Sequence, residues 1–164
     1  VDSKGVIHKG RSGLNESKLR LLDFVNLSNT MASVEEVVSG ADIIIGVSGP
    51  GSITPQMVSA MSKNAIVFAL ANPEPEIMPD LAKTAGAAIV ATGRSDFPNQ
   101  VNNVLAFPGI FRGALDNRQP ITDDIKIKAA EAIASLVKKP SEDEIIPSPL
   151  NPAVVDAVAS VFKK

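Results

Sequence analysis

Three polar segments carry most of the side chains in this sequence that could do chemistry. In Gly46-Val47-Ser48-Gly49-Pro50-Gly51 a hydroxyl stands among glycines that let a ligand come close to the backbone, which suits a wall beside a ribose or nicotinamide ring. The same cluster also suits an ordinary Gly-Pro turn. In Ala71-Asn72-Pro73-Glu74-Pro75-Glu76, the Pro73 ring biases Asn72 toward extended backbone, and the Asn72 amide offers donors and an acceptor together. Such a group can read a carboxamide, or a hydroxyl with a carboxylate; equally, it can close its own turn. The third segment crowds Arg94, Ser95, Asp96, Asn99, Gln100, Asn102 and Asn103 into a short stretch before the chain turns apolar in VLAFPGIF. A helix starting near Pro98 or Asn99 would aim N–H groups at a ligand, with Asn102 or Asn103 presenting an amide at the same mouth. A polar loop capped by Asn99 is the alternative.

Other candidates carry less. Asp2, followed by Ser-Lys-Gly, suits a carboxylate accepting hydrogen bonds from a ribose diol, but also a simple turn. His8 is the only histidine, has no partner at metal-ligand spacing, and reads as a surface residue. Glu74 and Glu76 could form an acid/base or metal pair. Interleaved with Pro73 and Pro75, they read instead as part of an exposed loop entering a helix.

The elements that must position these groups alternate. ADIIIGVS from Ala41, AIVFALA from Ala65 and AAIVATG from Ala87 are short runs apolar on both faces, as in a parallel sheet covered by helices on both sides. Ser33 with Glu36 predicts a capping box, and Thr54 before Pro55 predicts an N-cap with proline in the first turn. Further helices are expected over about Glu16 to Val25, about Met78 to Ala85, after Thr122, and after Asn151-Pro152. The stretch from Lys138 to Pro152 holds four of the twelve prolines and reads as an irregular surface connection. In an open parallel sheet, ligands bind beyond the carboxyl ends of the strands, which is where the three polar segments fall.

Composition narrows the function further. With 18 acidic against 16 basic residues, the chain lacks the positive field of a nucleic-acid binder. Cysteine is absent, which removes disulfides and thiolate metal sites and leads us to expect a reducing, cytoplasmic setting. The longest apolar run, Ala65 to Ala71, falls far below the ~20 residues of a membrane span. The chain opens on Val1-Asp2 and holds no Tyr and no Trp, and it reads as cut from something longer.

Taken together, FALANPEPEI and ATGRSDFPNQVNNVLAFPGIFRGALD, flanked by DSKGVI and SGADIIIGVSGPG, resemble the signature region of bacterial malic enzymes. The resemblance implies an α/β, Rossmann-like doubly wound parallel sheet, incomplete for want of its first βα unit, with C-terminal helices. Residues 1–139 would be the C-terminal portion of the NAD(P)-binding domain, and 140–164 its Pro-rich connection and terminal helix. It also implies oxidation of L-malate by NAD or NADP and decarboxylation to pyruvate and CO₂, aided by a divalent metal, Mg or Mn, held outside this segment. Asn72, Asn102 and Asn103 would then contact malate. Asp2, Gly46, Val47, Ser48, Gly49, Asn72 and Asn102 would contact the cofactor, with Asp2 at the adenine ribose. No catalytic residue falls here, because the family's acid tyrosine, base lysine and pyrophosphate loop precede the matching region. Asp2 favours NAD, although Lys4, Lys9 and Arg11 could receive a 2′-phosphate. The implied partners are the N-terminal half of the enzyme and further copies of itself, a dimer or larger. The competing readings are an amino-acid dehydrogenase of the same architecture, and a nucleotide-binding or oligomerisation module without catalysis.

Overall fold

A computed structural model describes residues 1–163. Its centre is a three-stranded parallel sheet of β1 (Ile43–Gly46), β2 (Ile66–Ala69) and β3 (Ile89–Thr92), ordered β1-β2-β3. The expected α/β class and parallel sheet are present, though each strand is shorter than its apolar run. Crossovers through α3 (Pro55–Ala60) and α4 (Pro79–Thr84) step the sheet in one direction. Right-handed crossovers taken in one direction place both helices on one face. Beneath them Val67 and Ala69 of β2 and Val90 of β3 join Met57, Val58 and Ala82 in a buried cluster.

The opposite face departs from expectation. Ile43 and Ile45 alternate with the core positions of β1 and are 52% and 63% exposed, so at β1 helices cover one side only among the described residues.

Local chemistry explains most helix starts. In α2 (Val34–Val38), the Ser33 hydroxyl accepts from the Glu36 N–H while the Glu36 carboxylate accepts from the Ser33 N–H, completing the predicted capping box. The Thr54 hydroxyl accepts from the Met57 N–H ahead of α3, and the Thr122 hydroxyl from the Ile125 N–H ahead of α6 (Asp123–Ser135). α1 (Glu16–Leu21) stops short of the expected Val25, because the backbone tightens into turns at Leu22 to Phe24.

The region after β3 corrects the sequence reading. No helix begins at Pro98 or Asn99: Asn99 has φ +56, and the chain returns beside β3 through a single bridge from Thr92 to Gln100. A short 3-10 turn at Asn103–Leu105 follows, and then α5 (Phe107–Asn117), an unforeseen helix with Pro108 in its first turn. Gly109 and Gly113 let α5 pack closely on α7 (Ala153–Ser160), and with α6 these helices bury Ile110, Ile125, Val158 and Phe162 in a second cluster.

Candidate functional site

Parallel register fixes the geometry of the site. Gly46 pairs with Ala69 and Ala69 with Thr92, so all three strands end at one level and their tails leave the same edge of the sheet. With neighbouring strands about 4.8 Å apart, the mouth is roughly 10 Å wide at its floor. The structure therefore brings together Gly46, Val47, Ser48, Gly49, Asn72 and the segment leading to Asn102 and Asn103.

Each tail presents its polar group outward. Val47 and Ser48 are exposed, and the Ser48 hydroxyl lies 2.7 Å from that of Ser52. Asn72 is exposed at a cis bond to Pro73, held only by a 3.3 Å hydrogen bond from its amide to the Leu70 carbonyl. Its side chain occupies the space beside Gly93, where a Cβ would lie 2.8 Å from the amide oxygen. Glycine at 93 thus serves the second tail rather than its own turn. Asn102 caps the 3-10 turn, its amide oxygen accepting from the Val104 N–H at 3.0 Å. That bond engages one of the two lone pairs of the oxygen and leaves the amide N–H groups able to donate elsewhere. Asn103 is exposed beside it.

Asp2 stands apart in an N-terminal turn, where the Asp2 and Gly5 backbones bond to each other. Its carboxylate accepts from Arg11 at 2.6 Å, from Lys18, and from the Lys4 N–H at 2.8 Å. Lys18, then the Lys4 N–H and then Arg11 hold the carboxyl well below the ordinary carboxylate range. Arg11 is thereby committed to Asp2. Lys4, His8 and Arg11 line a cleft of about 680 Å³ between this turn and the start of α2. His8 is half-buried in that wall with Nδ1 shielded from solvent, which corrects its placement as a plain surface residue.

Two residues that the sequence offers as half of a carboxylate pair and as a loop cap, Glu76 and Asn99, are buried anchors. Glu74 lies on an exposed loop as expected, but Glu76 is 0% exposed. Its Oε1 accepts from the Ser48 N–H at 2.6 Å and the Ser48 hydroxyl at 3.2 Å, and its Oε2 from the Ala71 N–H at 2.9 Å. A Cβ on Gly46 would meet the Glu76 carboxyl carbon at 2.7 Å, so Gly46 is the space that admits this carboxylate. Burial alone would raise the Glu76 carboxyl, but the N–H groups of Ser48 and Ala71 outweigh it and leave the group below its ordinary value. Asn99, 6% exposed, donates to the Val90 and Glu142 carbonyls and accepts from the Ile145 N–H. It ties the third tail to the C-terminal connection. No local pattern marks either residue as buried: beside the nearer Ala71 and Val90, Glu76 takes a partner 28 positions away and Asn99 takes partners 43 and 46 away.

A sequence profile described as "Malic enzyme, NAD binding domain" matches residues 1–161. The chain belongs to this family. It is 53% identical to the bifunctional malic/malolactic enzyme of Bacillus subtilis, an alignment covering 99% of this chain and 41% of that protein. It is 42% identical to the NADP-dependent malic enzyme of Halomonas elongata, covering 98% of this chain and 41% of the relative. Among solved structures, the NAD-dependent malic enzyme of Thermotoga maritima superposes with a TM-score of 0.93 at 44% identity, covering 99% of this chain and 44% of that one. The chain thus spans about two fifths of the length of these malic enzymes. Relatives named for NAD and for NADP both occur, and the family match sets aside an amino-acid dehydrogenase. Among the described residues no group of three His, Asp or Glu side chains could hold a metal.

Proposed function

We propose that the chain works as the C-terminal part of the NAD(P)-binding domain of a malic enzyme, which converts L-malate to pyruvate and CO₂. What supports this reading is the shared level of the three strand ends, which puts the Ser48 loop, the Asn72 loop and the start of the segment leading to Asn102 and Asn103 at one edge of the sheet. Exposed amides and a glycine-walled rim suit a nicotinamide carboxamide and the malate carboxylate and hydroxyl. A bound NAD(P) would supply the hydride acceptor for oxidation at the malate C2.

This chain's residues bind and orient. The Ser48 hydroxyl and the Gly46 to Gly49 backbone line the cofactor's ribose and ring. Asn72, with its amide lodged beside Gly93, and Asn102, with its amide oxygen already engaged, hold donors toward malate and the carboxamide in a near-attack arrangement. Asn103 contacts malate beside them. Asp2 accepts from the adenine-ribose diol, which favours NAD: its carboxylate is charged, and Arg11 is turned onto it instead of toward a 2′-phosphate. The acid, the base and the ligands of a Mg or Mn ion come from the remaining part of the enzyme. A homo-oligomer and a cytoplasmic setting complete the reading.

Assays of malate oxidation test it. The full-length enzyme should reduce NAD⁺ on malate and form pyruvate, saturating at lower NAD⁺ than NADP⁺, while the 164 residues alone should give no turnover. Turnover by the 164 residues would refute the division of labour. A full-length protein inert toward malate would refute the function, and a strong NADP⁺ preference the role given to Asp2.

A further inference from the structure

Glu76 is a buried acid with no ion-pair partner among the described residues, and nothing in the proposed chemistry uses it. A carboxylate in such a place is held only by donors, and here all come from two strand tails. Ser48 supplies an N–H and a hydroxyl from the first tail, and Ala71 supplies an N–H from the second, one residue before Asn72. The Glu76 carbonyl also accepts from the Ile53 N–H at 3.3 Å, tying the end of the first loop to the same residue. Bonds to an ionised acceptor are shorter and stronger than neutral ones, and the Ser48 N–H lies 2.6 Å from the Glu76 carboxylate.

From this geometry we infer that Glu76 is a positioning residue: its carboxylate clamps the Ser48 loop to the Asn72 loop and sets their separation for the dinucleotide and malate. The inference rests on the proposed function, in which those two loops receive the ligands. A carboxylate is required because donors approach both of its oxygens. A glutamine would satisfy one loop and set its own NH₂ against an N–H of the other. Gly46 belongs to the same device, since any side chain there would push the carboxylate off its donors.

The test uses the full-length enzyme, with NAD(P)H as the probe and its fluorescence giving Kd below the melting temperature. Glu76→Gln should raise Kd by about tenfold or more, the loss expected for a buried charge-assisted bond. Glu76→Asp, which keeps the charge on a shorter arm, should raise it less. The control Glu74→Gln, at the exposed neighbour, should leave Kd unchanged. Folded Glu76 variants with wild-type Kd would overturn the inference, whereas a wild-type enzyme that binds no NAD(P)H would overturn the function it rests on. Should Glu76→Gln not fold, Glu76→Asp decides by the same criterion. Hydrogen exchange on the wild type decides independently of any variant. A shared clamp makes the Ser48 and Ala71 amides open together and gain protection together when NAD(P)H binds; unequal protection would overturn it.

Discussion

Single charged residues here act through the donors gathered around them. Asp2 shows the sign of the effect. Its carboxyl is held below its ordinary value of 3.8 by Lys18, the Lys4 N–H and Arg11, so its contribution to stability is complete above that value. It fades as pH falls through the lower folded value, when the carboxylate protonates and releases both cations. Asp2→Asn should therefore lower the melting temperature at pH 7, and the gap from the parent protein should narrow from about pH 5 downward. A gap that widened in acid would contradict the pairing. Asp2, Ser48 and Asn72 were legible as candidates because each adjoins a turn or strand signal in its own neighbourhood. Glu76 and Asn99 were legible only as half of a carboxylate pair and as a loop cap: a carboxylate after a proline and an asparagine in a polar stretch carry no local mark of burial.

At the level of elements, strand ends and caps were readable and packing was not. Two-sided apolar runs fixed the three strands to within a few residues, and Ser33, Thr54 and Thr122 named the helix starts that follow them. α5 escaped because Phe107-Pro108-Gly109 reads as a breaker. Pro108 occupies the first turn, where a missing N–H costs nothing, and Gly109 faces α7, where bulk would cost more than flexibility. A Cβ at 109 would meet Val158 Cβ at 2.5 Å and the Val155 carbonyl at 2.8 Å. Gly109→Ala gains about 1 kcal/mol of helix propensity but overpacks the contact by about 1–3 kcal/mol, so urea unfolding should report a net loss. Paired with Val158→Ala, the two losses should fall short of additivity. Additive losses would show that α5 and α7 do not meet at this point.

For the whole molecule, the open side of β1 is the main thing left unbalanced. Ile43 and Ile45 form an apolar strip along an edge strand, beside unpaired backbone groups. The remaining part of the enzyme is the expected cover for this strip. Ile45→Thr keeps the branched side chain and should change the stability of the 164 residues by no more than about 0.5 kcal/mol. In the full-length enzyme it should cost about 1–2 kcal/mol through lost burial, and equal small effects in both would place Ile45 at a solvent face there too. The tether at Asn99 bears on the order in which the protein is made. The clamp between the first two tails has all its residues once Glu76 is synthesised, but the third tail, once made as far as Asn99, waits for Ile145, 46 residues beyond Asn99. At ~5–20 residues per second that is a delay of about 2–9 seconds, during which a nascent chain carries two finished walls of its pocket and one still loose.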